Sequence, residues 1–371
     1  MHRYRPALLT LLAALAAPVA TRAQEYVLPT PEEYAERAER AENAPLFASH
    51  DAIRMTLSTD IKWLRDTRSD STEVDATLTF VDVDGSETVS TVQVRARGNF
   101  RRSKDNCNFP PLRLNFKTGD MEGTVFEGQD KLKLVTPCND GRDDHQRYIY
   151  KEFLTYRLLN TLTPASLRVR LVEITYEDVN GEYDTRTKHG FLIEDNVAMA
   201  ERNSATLEEV NQFHPARTFG EYSVLASMFN YMIGNTDWSP VYFHNVELIR
   251  TEDARYLTVP YDFDFSGAVN ARYATVDPSL QDRIRRVTQR LFRGFCRDEL
   301  TYPHAVQTFA DNREAFRQLY FDFAARGYEQ FTEKDAEDAW KYFDDFYKMV
   351  DDEKRFEREI LRDCRDMASG R

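Results

Sequence analysis

The sequence predicts an α+β fold with two lobes, in which an antiparallel, β-rich lobe precedes a mainly helical lobe that carries a small β insert. Three observations support this prediction. Apolar and polar residues alternate with a period of two from residue 53 onward, as in strands with one buried face. Two short β-type runs occupy residues 241–260. Long, charged, aromatic-rich segments of helical character follow residue 278.

The first 23 residues have the pattern of a secretory signal peptide. Arg3 and Arg5 precede an apolar run at residues 7–19, and small residues follow it. The run is short for a membrane span, although a retained N-terminal anchor is the alternative. No later run is long and apolar enough to be a transmembrane helix. We therefore expect an exported protein, in the periplasm, the cell envelope or the extracellular space, with no integral span after signal removal.

Charge and size narrow the classes of partner. The 371 residues are 42% hydrophobic, which is enough for a substantial core. The net charge is −13, and removal of the three arginines in residues 1–23 changes it to −16. Such an acidic chain is not expected to bind nucleic acid or an anionic membrane surface.

Four cysteines fit an oxidising compartment, and three pairings of them are possible. We favour Cys107–Cys138 and Cys296–Cys364, because each bond would close a loop within one lobe. Zinc binding is the alternative, but the sequence has no CxxC or HExxH spacing.

The β-rich lobe is predicted over residues 51–194, after a polar, helix-prone lead-in at 24–50. Asp84-Gly85 and Asn180-Gly181 are hairpin-turn signals between predicted strands. One helix is predicted within this lobe, at 148–159, because the apolar residues of that segment recur on one helix face. The predicted strands are 53–57, 74–83, 89–94, 111–116, 131–135, 167–176 and 182–193.

The mainly helical lobe is predicted over residues 195–371. Residues 203–233 are expected to be helical, and Gly234 supplies a C-terminal cap. Further helices are expected at 279–293, 303–326 and 333–366, where charged residues alternate with aromatic ones.

Carboxylates cluster around the β insert. A hairpin of residues 241–249 and 256–260 would bring Asp237 and Asp262 to the same end. Together with Asn245 and Asp264, they offer hard oxygen ligands that suit Mg²⁺ or Mn²⁺. Phosphoryl transfer needs such a set, since one aspartate accepts the proton of the acceptor hydroxyl and the others hold metal ions that bridge the phosphates. The alternative is that these are ordinary turn residues.

Basic residues form a second constellation, VRARGNFRR, at residues 94–102. Its arginines surround a Gly98-Asn99 turn, and a backbone turn with guanidinium groups is well suited to phosphate. A solvated strand edge is the alternative. Lys133 lies in a strand just before the predicted helix, and Glu152 on that helix is the candidate for an ion pair with it. Lys131 points to the same face, so the choice between the two lysines stays open.

These motifs, in this order, resemble those of the CotH family, the spore-coat-protein-H-like atypical kinases. The resemblance spans residues 53–270, and RGN and DFD are its most specific elements. The motifs that carry it are RARGN, PLRLNF, KLKL, GFLIED, GNTDW, a His-Asn pair before a strand, and PYDFDFSG.

The resemblance implies a protein-kinase-like two-lobed fold, ATP with Mg²⁺ or Mn²⁺ as cofactors, and transfer of phosphate to Ser or Thr of an unidentified protein substrate. Asp237 resembles the catalytic aspartate. Asn245 and Asp262 resemble the metal ligands, with Asp264 as the alternate. Nucleotide-binding residues are predicted in the first lobe and at its boundary: Arg97, Gly98, Asn99, Lys133, Glu152 and Glu194.

Two features depart from ordinary kinases. Asn245 follows Asp237 by eight residues rather than five, and no GxGxxG loop is present. Two other functions are weighed against the secreted kinase. One is a non-catalytic exported surface, envelope or adhesin-like protein that keeps the carboxylates as structural or metal-holding groups. The other is a metal-dependent hydrolase.

Overall fold

Seven strands of the first half of the chain close into a β-barrel in the computed structural model. The structure describes residues 28–116 and 121–367, so the predicted signal peptide lies outside the described residues. The strands of the barrel are β1 (Ile53–Thr59), β2 (Val74–Val81), β3 (Glu87–Ala96), β4 (Leu112–Phe116), β5 (Lys131–Val135), β6 (Val169–Asp178) and β7 (Arg186–Ile193).

Neighbouring strands are antiparallel around the barrel except at one seam. The order is β1-β2-β3-β4-β5-β7-β6, and β6 pairs with β1 in parallel, from Ile53 opposite Val172 to Thr59 opposite Asp178. Alternate residues of each strand point inward and fill the interior, as Leu57, Leu78 and Leu114 do without measurable exposure.

This closure shows that the predicted fold class is wrong. A protein-kinase-like fold would have an open antiparallel sheet in its first lobe, whereas here the β1–β6 seam joins the two edges. The period of two identified the buried face of each strand, but it does not say which strands pair. The parallel pairing of β1 with β6 could therefore not be predicted from it.

Helices α2 (Ile61–Thr67) and α3 (Asp143–Leu162) pack against barrel strands. The predicted helix at 148–159 is confirmed within the longer α3, and the short α2 follows β1. The lead-in forms α1 (Pro31–Glu42), which buries Tyr34 and Ala41. It packs against α4 (Asn196–Arg202).

A second, three-stranded sheet follows the barrel. It has the order β10-β9-β8 and contains β8 (Ala205–Leu207), β9 (Val246–Thr251) and β10 (Tyr256–Pro260). Between β8 and β9 lies the apolar α5 (Gly220–Ile233), which ends at Gly234 in the left-handed conformation. Only this last part of the predicted 203–233 segment is helical in one long run, because β8 and a short turn precede it.

The C-terminal helices are α6 (Tyr302–Asp311), α7 (Arg313–Ala325), α8 (Glu333–Val350) and α9 (Glu353–Phe356), followed by a π-helical turn at Glu357–Leu361. The predicted helix at 279–293 is wrong: the segment consists of turns after Pro278–Leu280. The Gln289 side chain accepts hydrogen bonds from the backbone N–H groups of Arg285 and Arg286, which competes with a helical ladder.

Both predicted disulfides are present, Cys107–Cys138 and Cys296–Cys364. Such bonds are compatible with an exported protein. Across residues 28–116 and 121–367, no helix has the length and apolar character needed to cross a membrane.

Candidate functional site

Asp237 is positioned by a polar loop at the end of α5. The buried Asn235 is held in place by Asn230 of α5. Its N–H donates to the Asn230 backbone oxygen at 2.8 Å, and its Nδ2 donates to the Asn230 Oδ1 at 2.9 Å. The Asn235 Oδ1 then accepts the Asp237 N–H at 3.0 Å. Two consecutive asparagine contacts therefore fix the backbone at Asp237.

The Asp237 carboxylate has two side-chain neighbours. Asn245 Nδ2 donates to the backbone oxygen of Asp237 at 2.8 Å and to Oδ2 at 3.1 Å. His244 Nε2 lies 2.8 Å from Oδ1. The Asp237 side chain is still 36% exposed, so the carboxylate is both oriented and reachable from solvent.

Asn245 and Asp262 both adopt left-handed backbone conformations, with φ of 53° and 61°. Asn and Asp tolerate this region better than other residues with a Cβ. The N–H of Tyr261 donates to the Asn245 backbone oxygen at 3.0 Å, which ties the end of β10 to the start of β9. The hairpin thus brings Asp237, Asn245 and Asp262 to one end, as the sequence predicted.

The carboxylates at this end of the hairpin change the pKa of His244. Its hydrogen bond to Asp237 raises the pKa of the imidazole, and the charge of Asp262 acts in the same direction. Protonated His244 therefore pairs with Asp237 as a cation up to a higher pH than an ordinary imidazole would, whereas the neutral ring carries no charge.

Asp264 lies deeper than Asp262 and is only 3% exposed. Tyr273 Oη donates to its Oδ2 at 3.1 Å. Burial raises the pKa of Asp264 to about 7, and the nearby Asp262 adds to the rise. The backbone N–H of Asp262 itself donates to Tyr156 Oη at 2.8 Å, which links the motif to α3.

Arg101 joins the carboxylates to the basic turn. Its Nη1 lies 3.7 Å from Glu152 Oε2 and 3.9 Å from Asp264 Oδ2, and its Nη2 donates to the Thr136 backbone oxygen. Burial, and next the charge of Asp264, raise the pKa of Glu152 well above its usual value. The buried Oε1 of Glu152 has no hydrogen-bond partner among the described residues.

Arg97 and Lys133 supply positive charge beside Asp262. Burial lowers the pKa of Arg97, while the Asp262 carboxylate opposes that effect. Burial also lowers the pKa of Lys133 to about 8, and the Arg97 charge contributes next. Lys133 Nζ donates to Asn196 Oδ1 at 3.0 Å and lies 5.2 Å from the centre of the Tyr261 ring.

The remaining predicted nucleotide residues fall in different places. Glu152 pairs with Arg101, so the predicted Lys133–Glu152 pair is replaced by two other contacts. Glu194 is fully buried between Arg168 and Arg202, at 2.9 and 3.0 Å, and holds elements together.

Lys131, Lys133 and the Gly98-Asn99 turn lie in different surroundings. Lys131 pairs with the exposed Asp130 at 3.7 Å, so Lys133 is the lysine near the carboxylates. Gly98 has φ of 82° and, with Asn99, forms an exposed turn after β3.

The sequence predicted Arg101 only as one of the phosphate-binding arginines of the basic turn, and it gave no individual role to His244, Tyr156 and Tyr273. All four contact the predicted site residues. Two of them carried a signal. Tyr156 lies four residues after Glu152 on α3, which is the spacing of neighbours on one helix face. His244 directly precedes Asn245.

The donors suit a hard divalent cation. Asn245 uses its Nδ2 on Asp237, so its Oδ1 is the atom left for a ligand, and Asp262 and Asp264 add carboxylate oxygens that act on each other electrostatically. In the described ranges no three His, Cys, Asp or Glu side chains are arranged to hold a metal. Mg²⁺ is commonly held by one or two carboxylates together with substrate phosphates, which this set can provide.

The fold and the site together define a barrel-and-helix protein with an acidic centre flanked by desolvated cations. Comparison of the chain with protein-family models, curated proteins and solved structures found no match.

Proposed function

We propose that the chain is a metal-dependent phosphotransferase that moves the γ-phosphoryl group of ATP to a Ser or Thr hydroxyl of a protein. The observation that carries the proposal is the oriented and accessible Asp237 carboxylate beside Asn245, together with two buried cations, Arg97 and Lys133, on which the charge of Asp262 acts. Cations that lose hydration beside carboxylates suit a highly charged, metal-bound phosphate ligand.

Asp237 acts as the base. The acceptor oxygen attacks the γ-phosphorus while its proton passes to the Asp237 carboxylate. The bond from the γ-phosphorus to the bridging oxygen breaks, and ADP leaves with that electron pair. Asn245 and the Asn235 loop keep the carboxylate directed at the acceptor. Neutral His244 retains the hydrogen bond to Oδ1 without neutralising the base.

Arg97 and Lys133 would bind the phosphate oxygens, because both are cations beside the acidic centre. Asn245 and Asp262 would hold a divalent metal, with Asp264 behind them. When bound, the metal supplies charge neutralisation for the transferring group. Lys133 also needs its proton for this role, and a pKa of about 8 keeps most of it charged at neutral pH.

The choice of ATP and of a protein acceptor depends on the resemblance of RARGN and PYDFDFSG to the CotH family. The site supports the reaction class and not the identity of the acceptor. The disulfides fit an oxidising compartment outside the cytoplasm. The proposal therefore also requires a source of ATP in that compartment.

The test is Asp237→Asn in a radiolabelled γ-phosphate transfer assay with Mg²⁺ or Mn²⁺. Removal of a general base is expected to reduce transfer by about 10²–10⁴-fold. The melting temperature should change little, since the amide can keep the contacts with Asn245. Asp184→Asn is the matched control, because its side chain is 91% exposed on a barrel turn.

A thermal shift with ATP and metal separates the alternatives. Stabilisation of wild type by ATP with Mg²⁺, together with label transfer, supports the proposal. Stabilisation without transfer favours a nucleotide-binding protein that lacks catalysis. No shift at millimolar nucleotide favours the non-catalytic surface or adhesin-like function. Full transfer by Asp237→Asn would overturn the role of Asp237 as base.

A further inference from the structure

A small cavity lies on the side of α3 where α7 and the segment before β1 meet. Its volume is about 130 Å³. Apolar side chains of α3 and α7 form part of its wall, and polar groups from three segments form the rest. The lining residues are His50, Phe153, Leu154, Arg157, Leu319, Asp322, Phe323 and Arg326.

Arg157 is the unusual member of this lining. Its Nε atom is buried and lacks a hydrogen-bond partner, and its guanidinium forms no ion pair within the described residues. Burial, followed by the charge of Arg326, lowers the pKa of Arg157 to about 10. A partly buried cation without an ion-pair partner is costly to a folded protein. The Arg157 guanidinium is therefore available to pair with an anion that enters the cavity.

Two more guanidinium groups lie near the same point. Arg326 Nη1 donates to the His50 backbone oxygen at 3.2 Å and lies 3.3 Å from Asp51 Oδ1. Arg170 is 5% exposed, donates to the Ser49 backbone oxygen at 2.6 Å, and has a buried Nε without a partner.

The pKa of His50 reflects the positive charge of these guanidinium groups. Partial burial, and then the charges of Arg157, Arg170 and Arg326, lower the pKa of its imidazole to about 4. The ring is thus neutral at physiological pH, with an N–H able to donate to a ligand. Asp51 lies beside Arg326, and the exposed Asp322 lines the cavity. Three guanidinium groups facing two carboxylates leave an excess of one positive charge.

We infer that this cavity binds a small tetrahedral oxyanion, inorganic phosphate or sulfate, between Arg157, Arg326 and His50. The volume is several times the ~30 Å³ share of a water molecule, so such an anion fits. It is far below the ~300 Å³ at which pockets for cofactor-sized ligands begin, so a nucleotide does not. The bound anion would link α3 and α7 to the segment that enters β1.

This site is independent of the proposed transferase function. It shares no residue with the centre around Asp237, and it needs neither nucleotide nor metal. Its effect is on stability, because an anion that binds only the folded protein raises the melting temperature.

The experiment compares thermal unfolding in sodium phosphate, sodium sulfate and sodium chloride at matched ionic strength. Phosphate and sulfate should each raise the melting temperature of wild type, by about 4 °C at roughly 100 times the dissociation constant. Arg157→Met should melt at the wild-type temperature or higher in chloride and should lose the phosphate shift. Asp322→Asn should bind phosphate several-fold more tightly in calorimetric titration, because a competing carboxylate is gone.

Two controls locate the effect. Arg317→Met removes an arginine of α7, the helix that carries Asp322, and this arginine already pairs with Glu314 at 3.3 Å. The variant should keep the shift. Lys133→Met should also keep it, which excludes phosphate binding at the candidate active site. An unchanged shift in Arg157→Met, or no difference between the oxyanions and chloride in wild type, would overturn the inference. If Arg157→Met fails to fold, weaker or unchanged binding in Asp322→Asn overturns it instead.

Discussion

Replacement of Arg101 by Met tests whether the buried cation keeps two buried carboxylates in the fold. Arg101 is 8% exposed, and its neighbours Glu152 and Asp264 are 1% and 3% exposed. Met preserves much of the side-chain volume but leaves both carboxylates without their guanidinium. The hydrogen bond to the Thr136 backbone oxygen is lost as well.

The expected cost is about 3–5 kcal/mol of unfolding free energy, the usual effect of removing one partner from a buried ion pair. The raised pKa of Asp264 gives the same scale. A rise from 3.8 to about 7 corresponds to about 4 kcal/mol of disfavoured ionisation, even with Arg101 in place. Arg101 lowers the pKa of both carboxyl groups, so its loss raises them further.

The cost should depend on pH with a definite sign. A carboxyl group whose pKa is raised by folding binds more protons in the folded state, so stability falls as pH rises from about 4 through the folded pKa. The loss in Arg101→Met should therefore be larger at pH 8 than at pH 5. In the double variant with Glu152→Gln, part of the loss should be recovered, because one buried charge is removed.

Urea unfolding followed by circular dichroism at both pH values measures these differences. Lys104→Met is the matched control, since its side chain is 58% exposed and pairs with Asp66 only at 3.8 Å. It should cost less than about 1 kcal/mol. A cost below 1 kcal/mol for Arg101→Met, or one that shrinks as pH rises, would refute the reasoning.

Three further predictions follow from packing, covalent and site contacts. Gly267→Ala should lose about 1–3 kcal/mol in chemical unfolding, because the added Cβ would collide with Tyr342 Oη and lie 2.6 Å from the Val287 backbone oxygen; a wild-type midpoint would refute the packing argument. Serine at both Cys296 and Cys364 should lose about 2–5 kcal/mol, and a thermal melt equal to that of the oxidised wild type would contradict this. His244→Gln should extend phosphoryl transfer to lower pH, because the wild-type imidazolium restrains the base, and pH–rate profiles that coincide would exclude that restraint.

Local sequence signals predicted single elements better than their assembly. The strand at 131–135 is confirmed at the same residues, and the strand at 53–57 lies within β1. The period of two identifies a buried face, and a barrel interior satisfies it as well as an open sheet does. The helix expected at 279–293 failed because Ile284, Val287 and Leu291 bury in a small cluster of their own, without a helical backbone.

The candidate site was predictable where its residues are close in sequence. Asp237 and Asn245 meet because one polar loop carries both, and Asp262 joins them through the hairpin. The partner of Glu152 was not predictable, because Arg101 reaches it from the loop between β3 and β4, more than 50 residues earlier in the sequence. A long-range contact of this kind leaves no period in the sequence.

The parallel seam of the barrel also sets an order for folding during synthesis. Residues of β1, such as Ile53, can form their ladder only after β6 with Val172 has been made, although β1 to β5 are complete much earlier. Until then the growing chain keeps two unpaired strand edges, one on β1 and one on β5. Open edges recruit other chains, and distant pairing is slow. A nascent chain that stops before β6 should therefore self-associate, whereas one extended through β7 closes its own edges.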